Sequence, residues 1–263
     1  MRALHIGATG MLAQQTNVEV ISNNIANMNT TAYSRRRAEF HDLLYQNVRR
    51  VGSASSDSGT IVPTGIQLGL GVKTASVYRI SEHGSQVNTG NTLDLAIQGE
   101  GYFQVTLPND RGTGYTRDGA FQLSSDGVIV TSDGYEVTPG ITIPENTTGI
   151  TINASGEVWV KLDGETDQVN VGQLELAVFP NEAGLEAIGD NLFMETPASG
   201  EPRTDNPGEL GFGSILQTYL ENSNVNVVTE ITDLVSAQRA YEMNSKVITT
   251  ADQMLSTVNQ LKS

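Results

Sequence analysis

The chain has 263 residues, 38% of them hydrophobic, and no cysteine, which excludes disulfides, thiolate metal sites and thiol catalysis. Its formal net charge of −15 disfavours nucleic acids and anionic membranes as partners, because both select a basic surface. The charge is concentrated between Asp118 and Asp233, where 20 acidic residues occur with only Lys161 and Arg203 as basic ones. This middle stretch is therefore expected to be a solvated outer region.

The N-terminal residues do not resemble a cleavable signal peptide, because His5, Gly7 and Gly10 interrupt the apolar run. No stretch of about 18 apolar residues occurs, so the sequence predicts no membrane-spanning helix. If the protein leaves the cytoplasm, we expect a route that does not read a cleaved signal.

Residues 3–34 carry one formal charge, Glu19, and their apolar residues repeat at heptad spacing. One row comprises Leu4, Met11, Val18 and Ile25, and a second comprises Gly7, Gln14, Ile21 and Met28. Amides occupy the polar side at Asn23, Asn24 and Asn27, where a surface helix would carry charges. The pattern predicts a helix of about 28 residues enclosed by several neighbours. An amphipathic helix packed only on its own domain is the alternative.

The next segment combines charge with a long irregular stretch. Arg35, Arg36 and Arg37 stand near Glu39 and Asp42, which favours a charged surface or an inter-subunit contact over a phosphate site. Residues 47–60 are polar and rich in Ser and Gly, as in long functional or mobile loops.

The middle of the chain reads as β structure from Val72 to about Gly211. Apolar runs and alternation predict short strands at residues 93–97, 102–105, 127–130 and 174–179. Asp-Gly pairs begin at Asp118, Asp126, Asp133 and Asp163. They indicate turns rather than calcium ligands, since no Asp-x-Asp-x-Asp loop surrounds them. The turn spacing predicts a small antiparallel barrel or sandwich.

Catalytic, cofactor and metal sites are not predicted. His5, His41 and His83 lie in three different kinds of segment, and no zinc signature or nucleophile elbow surrounds any of them. The Gly69-Leu-Gly71 pair lacks the strand–turn–helix setting of a dinucleotide site. We therefore expect no small-molecule substrate.

The C-terminal stretch predicts a second long helix, of about 36 residues, with Ser223 or Asn224 as its N-cap. Its main heptad row is Val227, Leu234, Tyr241, Ile248 and Leu255, extended by Ile231, Ala251 and Val258. A second row contains Ala240, Val247, Met254 and Leu261. Two rows make an apolar face wider than a two-stranded seam requires.

The expected fold is therefore α+β: a discontinuous coiled coil of the N- and C-terminal helices with an inserted all-β domain, barrel-like or sandwich-like. Neither helix can bury its apolar surface on a small β region. We expect the helices to pair with each other and with copies from other subunits, in a head-to-tail contact that generates a helical filament.

Several motifs resemble the bacterial flagellar rod and hook proteins. The N-terminal signature is carried by Ala8-Thr-Gly-Met-Leu-Ala-Gln-Gln15 and Ile21-Ser-Asn-Asn-Ile-Ala-Asn-Met-Asn-Thr-Thr-Ala-Tyr33. The C-terminal signature is carried by Glu221-Asn-Ser-Asn-Val-Asn226 and Gln238-Arg-Ala-Tyr-Glu-Met-Asn-Ser-Lys246. Resemblance to the distal-rod members is carried by Asp42-Leu-Leu-Tyr-Gln46, Pro63-Thr-Gly-Ile-Gln-Leu-Gly-Leu-Gly-Val72, Ile97-Gln-Gly-Glu-Gly-Tyr-Phe-Gln-Val105, Tyr115-Thr-Arg-Asp-Gly-Ala-Phe121 and Ile141-Thr-Ile-Pro144. Ala32 departs from the glycine that the family often has, which weakens any expectation of a positive φ there.

The resemblance implies a three-part structural subunit without enzymatic activity. Residues 1–33 and 222–263 would form the coiled-coil core, residues 34–71 and 211–221 a connecting segment, and residues 72–210 an outer β domain. It implies subunit packing through the heptad residues and asparagines named above. A rod-specific stretch at residues 46–70, with Gln46, Pro63, Gly65, Leu68, Gly69 and Leu70, would lock neighbouring subunits and keep the rod straight.

The implied setting is the periplasmic rod of the flagellar basal body, reached through the flagellar type III apparatus. There a homopolymer of many copies would transmit torque to the hook. Its partners would be proximal rod proteins, a hook or hook-adjacent protein, and the peptidoglycan-associated and outer-membrane rings. Three other interpretations stay open on sequence alone: a proximal-rod or hook paralogue, a secreted β-rich adhesin with helical tails, and a peptidoglycan hydrolase.

Overall fold

The computed structural model describes residues 2–49, 64–108, 112–164 and 167–262. The chain divides into two compact units. The first comprises residues 1–26, 36–79 and 226–263, and the second comprises residues 27–35 and 80–225, each as far as the description extends. A helix at each end of the sequence and a mostly β middle confirm the α+β class.

The first unit contains both long helices and four strands. The helices are α1 (Arg2–Ala26) and α2 (Val227–Lys262), and the strands are β1 (Arg36–Asp42), β2 (Tyr45–Arg49), β3 (Ile66–Gly69) and β4 (Val72–Arg79). Strand β1 pairs antiparallel with β4, and β2 pairs antiparallel with β3. The predicted outer β domain began at Val72, but β4 pairs with β1 and so groups with the helices.

The two helices pack in opposite directions through small residues. An added Cβ at Gly7 would lie 2.9 Å from Ile248 Cγ1, and one at Gly10 would lie 2.9 Å from Asn244 Nδ2. Near the other end of α1, Asn24 hydrogen-bonds Glu230 near the start of α2. The absence of a side chain at Gly7 and Gly10 therefore lets α2 approach closely, which accounts for glycine in a helix interior.

The helix ends differ from the sequence prediction. Helix α1 has 25 residues and ends at Ala26, so Asn27 and Met28 lie beyond it. The chain turns there because the Thr30 N–H and hydroxyl bond the backbone and side-chain oxygens of Asn27, as Thr and Asn often do outside helices. Helix α2 has the predicted 36 residues, but its N-cap is Asn226, whose Oδ1 accepts the N–H groups of Val228 and Thr229.

The second unit holds the other strands, all of them short. They are β5 (Gln86–Asn88), β6 (Leu95–Gln98), β7 (Tyr102–Thr106), β8 (Thr113–Thr116), β9 (Gln122–Leu123), β10 (Ile129–Val130), β11 (Thr147–Ile152), β12 (Glu157–Leu162), β13 (Gln168–Gln173), β14 (Leu176–Val178), β15 (Glu186–Gly189), β16 (Leu192–Met194), β17 (Arg203–Asp205), β18 (Ser214–Gln217) and β19 (Tyr219–Glu221). The four strands predicted in this region are present with shifted ends.

Six strands form an open sheet in the order β15-β16-β8-β7-β14-β17, and β11, β12 and β13 form a second sheet. The pairs β5–β19, β6–β18 and β9–β10 complete the unit, and all of these pairings are antiparallel. No sheet closes into a barrel within the described residues, so the barrel version of the prediction is wrong there. The strands are too short and distributed over too many sheets to close a ring.

The core of the second unit is formed by residues from β6, β7, β12, β14 and β18 together with the connecting loops. Phe103, Val158, Val160 and Leu176 have essentially no exposed surface, and Phe121 packs edge-to-face on Phe103. A smaller cluster surrounds Tyr115, whose ring lies 4.7 Å from Phe179. No helix within the described ranges is long and apolar enough to cross a membrane.

Candidate functional site

The surface of α2 exposes most of the large apolar residues that the sequence placed in heptad rows. Among the predicted packing residues, those exposed are Ile231, Tyr241, Val247, Met254, Leu255 and Val258, and those half-buried are Val227, Leu234 and Ile248. Met254 and Val258 are 59% and 60% exposed. An apolar groove of about 460 Å³ runs beside Ala3, Val247 and Met254. Since a water-exposed row of this kind is unfavourable in an isolated chain, it indicates a surface that other protein covers.

A different heptad row of α2 faces α1. Glu230, Ala237 and Ala251 are buried, and Asn244 is half-buried against Gly7 and Gly10. The sequence prediction included Ala251 in its apolar stripe but missed Glu230, Ala237 and Asn244, because these residues are small or polar and the prediction rested on large apolar residues. A repeat of seven among small residues, opposite Gly7 and Gly10, was the available signal.

On α1 the predicted packing residues divide by depth. Ile21 and Asn24 are buried, and the half-buried ones are Leu4, Met11, Val18 and Ile25; Asn23 is exposed. Beyond the helix, Asn27 is half-buried and Met28 is exposed. The half-buried row leaves apolar surface available on α1 as well.

Asn24 is the polar centre of the first unit. Its Nδ2 donates to the Arg36 carbonyl at 2.9 Å and to Glu230 Oε2 at 3.1 Å, and its Oδ1 accepts the Arg36 N–H at 2.9 Å. We expected the asparagines to bond neighbouring subunits, but this one joins α1, β1 and α2 of its own chain. The reason is its depth: only 1% of Asn24 is exposed, so its amide must be satisfied locally.

The predicted rod-specific stretch is described only at its two ends. Gln46 in β2 is paired with Leu68 in β3, and both are exposed. Gly65, Gly69 and Leu70 are half-buried, while Pro63 lies outside the described residues. The β2–β3 pair also exposes Tyr45, Val48 and Ile66, and Leu44 just before β2 is exposed as well. A hydrogen bond to the Asp42 carboxylate raises the pKa of Tyr45. This ribbon is a second apolar surface on the first unit.

The arginines next to α1 have structural partners. Arg36 is engaged through its backbone with Asn24, and the Arg35 guanidinium lies 3.2 Å from the Glu82 carboxylate. Among the residues that the structure describes, no group of three or more His, Cys, Asp or Glu side chains is placed to hold a metal ion.

Comparison with known proteins identifies this architecture. Three family models match: "Flagella basal body rod protein" over residues 4–33, "Flagellar hook protein FlgE/F/G D1 domain" over residues 96–160, and "Flagellar basal body rod FlgEFG protein C-terminal" over residues 216–261. The flagellar basal-body rod protein FlgG of Caulobacter vibrioides is 62% identical over the full length of both chains. The chain belongs to the FlgG family of flagellar basal-body rod proteins. The flagellar basal-body rod protein FlgG of Agrobacterium fabrum is 54% identical to this chain over 99% of each chain.

A match with a different name is less similar to this chain. The flagellar hook-basal body complex protein FlhP of Bacillus subtilis is 29% identical over the full length of both chains. The interpretation of this chain as a FlgG protein is therefore favoured over its interpretation as a proximal-rod or hook paralogue. The two terminal models cover most of α1 and most of α2, so the matched regions include the exposed surface of α2.

Proposed function

We propose that this chain is a subunit of the distal flagellar rod that assembles into a rigid helical tube through α1 and α2. As a member of the FlgG family, it is a structural protein of the basal-body rod and not an enzyme. The observation that carries the assembly proposal is the row of exposed apolar side chains along α2. Met254 and Val258 are each more than half exposed in the single chain, and neighbouring copies would bury them.

The apolar surface also suggests how the subunits pack. One heptad row of α2 is occupied by α1 of the same chain, and at least one further row is open. A helix with more than one apolar row can contact several neighbours at once, as in a multi-stranded coiled coil. We propose that residues 1–33 and 222–263 form this inner tube. Residues 34–71 and 211–221 would connect it to an outer β domain.

The tube would carry motor torque to the hook, with proximal rod proteins at one end and a hook or hook-adjacent protein at the other. Export through the flagellar type III apparatus without a cleaved signal peptide is part of this proposal. Ring proteins of the peptidoglycan layer and outer membrane would surround the rod. The acidic stretch from Asp118 to Asp233 supports loose, non-adhesive contacts with those rings, because a charged and hydrated surface is costly to desolvate.

Polymerisation of purified protein tests the proposal. Met254→Asp should abolish rod growth measured by sedimentation and electron microscopy, because a buried unpaired carboxylate is strongly unfavourable. Val18→Asp and Ile25→Asp on α1 should have the same effect. Ser256→Asp, which adds the same charge at an exposed polar position of α2, is the matched control. Normal rods from all three apolar-site variants would contradict the proposal.

The proposed straightness role of residues 46–70 is tested separately. Deleting residues 53–60, which lie outside the described part of the chain, should give bent or hook-like rods. Straight rods of normal stiffness in electron micrographs would count against a locking role for this stretch.

A further inference from the structure

Two segments of the second unit are joined side by side. The inbound segment is Asn27–Arg35, which follows α1 in sequence, and the outbound segment is residues 219–225, which precedes α2. The Ala32 N–H donates to the Glu221 carbonyl at 2.8 Å, and the Asn224 N–H donates to the Tyr33 carbonyl at 3.3 Å. The Arg35 N–H donates to Asn224 Oδ1 at 2.7 Å. Ala32 makes its bond from a left-handed backbone with φ of 55°, contrary to the sequence expectation for a non-glycine residue.

Glu221 connects this pair of segments to the β structure. Its carboxylate accepts Arg117 Nε at 2.9 Å and the Gly84 N–H at 3.0 Å. Arg117 and Glu221 are each only 6% exposed. The remaining Arg117 nitrogens donate to the carbonyls of Gly101 and Gly99, in the turn between β6 and β7, and of Ile97 in β6. The site for Glu221 therefore exists only after that turn has formed.

Asn224 makes the second connection. Besides accepting the Arg35 N–H, its Nδ2 donates to the Ile80 carbonyl at 3.1 Å and to the Glu82 carbonyl at 2.7 Å. One amide thus satisfies three backbone groups from two separate stretches of chain. Its removal would leave these groups without their partner.

We propose that Glu221 and Asn224 form a clasp that couples folding of the second unit to ordering of the segments next to both helices. A buried carboxylate without its cation is unfavourable, so Glu221 settles only once Arg117 is in place. The clasp therefore closes only after the carbonyls of Ile97, Gly99 and Gly101 hold Arg117, and the segments next to α1 and α2 become ordered only then. Its assembly consequence rests on the proposed polymerisation of this chain.

Amide hydrogen exchange on the full-length chain tests the clasp. Asn224→Ala should accelerate exchange at the Ala32 and Arg35 amides at least tenfold, while the amides of the central strand β12 keep their protection. Asn222→Ala, at an exposed neighbouring asparagine, should change neither group. Equal acceleration in β12, or no difference between the two variants, would overturn the clasp.

Glu221→Gln probes the ion pair, with Glu82→Gln at the exposed Arg35 pair as the matched control. The first should accelerate exchange at the Ala32, Arg35 and Asn224 amides, and the second should not. If Glu221→Gln also unfolds β12, the exchange rates of Asn224→Ala alone decide whether the clasp exists.

Seeded polymer growth of the same variants tests the coupling. Both clasp variants should grow at least tenfold more slowly than wild type and the controls. If the clasp variants grow at the wild-type rate although hydrogen exchange shows their clasp to be open, the coupling is overturned. Failure of the wild-type chain itself to grow would instead contradict the proposed function, and the exchange results would still judge the clasp.

Discussion

The second unit buries its large apolar side chains in its own core, whereas the first unit leaves many of them exposed on α2. Phe103 has no exposed surface, while Val258 is 60% exposed. The difference indicates that the second unit encloses its apolar core within a single chain, whereas the first unit does not. The second can reach its minimum free energy within one chain, because sheet packing encloses its core. The first buries mainly small and polar residues between its helices and leaves many large apolar residues of α2 exposed, where the proposed contacts with other chains would bury them.

Both units nevertheless contain a buried polar connection between distant parts of the sequence. In the first it is Asn24 with Glu230, and in the second it is Arg117 with Glu221. Each joins the N-terminal or β part of the chain to a residue at or near the start of α2. Buried polar groups fix one arrangement because any other leaves them unsatisfied.

The largest effect should come from the core of the second unit. Phe103→Ala should lower the free energy of unfolding by about 3–5 kcal/mol, through lost transfer energy and a residual cavity. Urea unfolding followed by the fluorescence of Trp159 in β12 measures it. Leu210→Ala, at a side chain that is 95% exposed, should cost less than about 0.5 kcal/mol. Equal losses of unfolding free energy in the two variants would contradict the difference between the buried core and the exposed surface.

The polar centre of the first unit should have an intermediate effect. Asn24→Ala should cost about 2 kcal/mol, because it leaves Glu230 and the Arg36 backbone groups without a buried partner. Helix unfolding followed by far-ultraviolet circular dichroism reports it. Gln15→Ala, which removes only an exposed contact with Glu19, should cost less than about 0.5 kcal/mol. A loss in Asn24→Ala no larger than in Gln15→Ala would contradict a stabilising role of this buried network.

The exposed face of α2 should contribute least to the stability of the single chain. Met254→Ser should change the free energy of unfolding by less than about 0.5 kcal/mol, since the side chain is already largely in water. Ile21→Ser, at a buried position of α1, should cost several times more. Similar losses for both, measured at a protein concentration too low for polymer growth, would mean that the isolated chain already buries this face.

A small pH effect should distinguish the second unit. Burial, assisted by the nearby Glu195 carboxylate, raises the pKa of Tyr115 above its ordinary value of 10.0. The unfolded chain then releases this proton at lower pH than the folded chain, so the free energy of unfolding should fall as the pH rises above about 10. Tyr115→Phe should remove this part of the decline in urea unfolding measured across that range. Identical pH slopes for the variant and wild type would exclude a contribution from Tyr115.

The helices were predicted correctly where the pattern of neighbouring residues is enough to specify a helix. A 36-residue uninterrupted pattern without Pro or Gly could only be a long helix, and α2 has that length. The end of α1 was placed too late because Asn27 and Met28 continue the apolar and amide pattern past Ala26. The bonds between Thr30 and Asn27 that end the helix are also local, but they depend on side-chain hydrogen bonding, which the apolar periodicity does not report.

The sequence by itself determined that this chain has two helices with more apolar surface than one subunit can bury, separated by an acidic β region. These follow from the heptad rows, the scarcity of charge in residues 3–34 and the spacing of turns, all of which are properties of neighbouring residues. Only the tertiary structure decided which face of α2 the chain uses itself. It is the row of Glu230, Ala237, Asn244 and Ala251, because small residues let α1 approach closely and Asn24 needs a buried partner. Most of the large apolar residues of α2 are left exposed for that reason, although Ile248 is half-buried against Gly7.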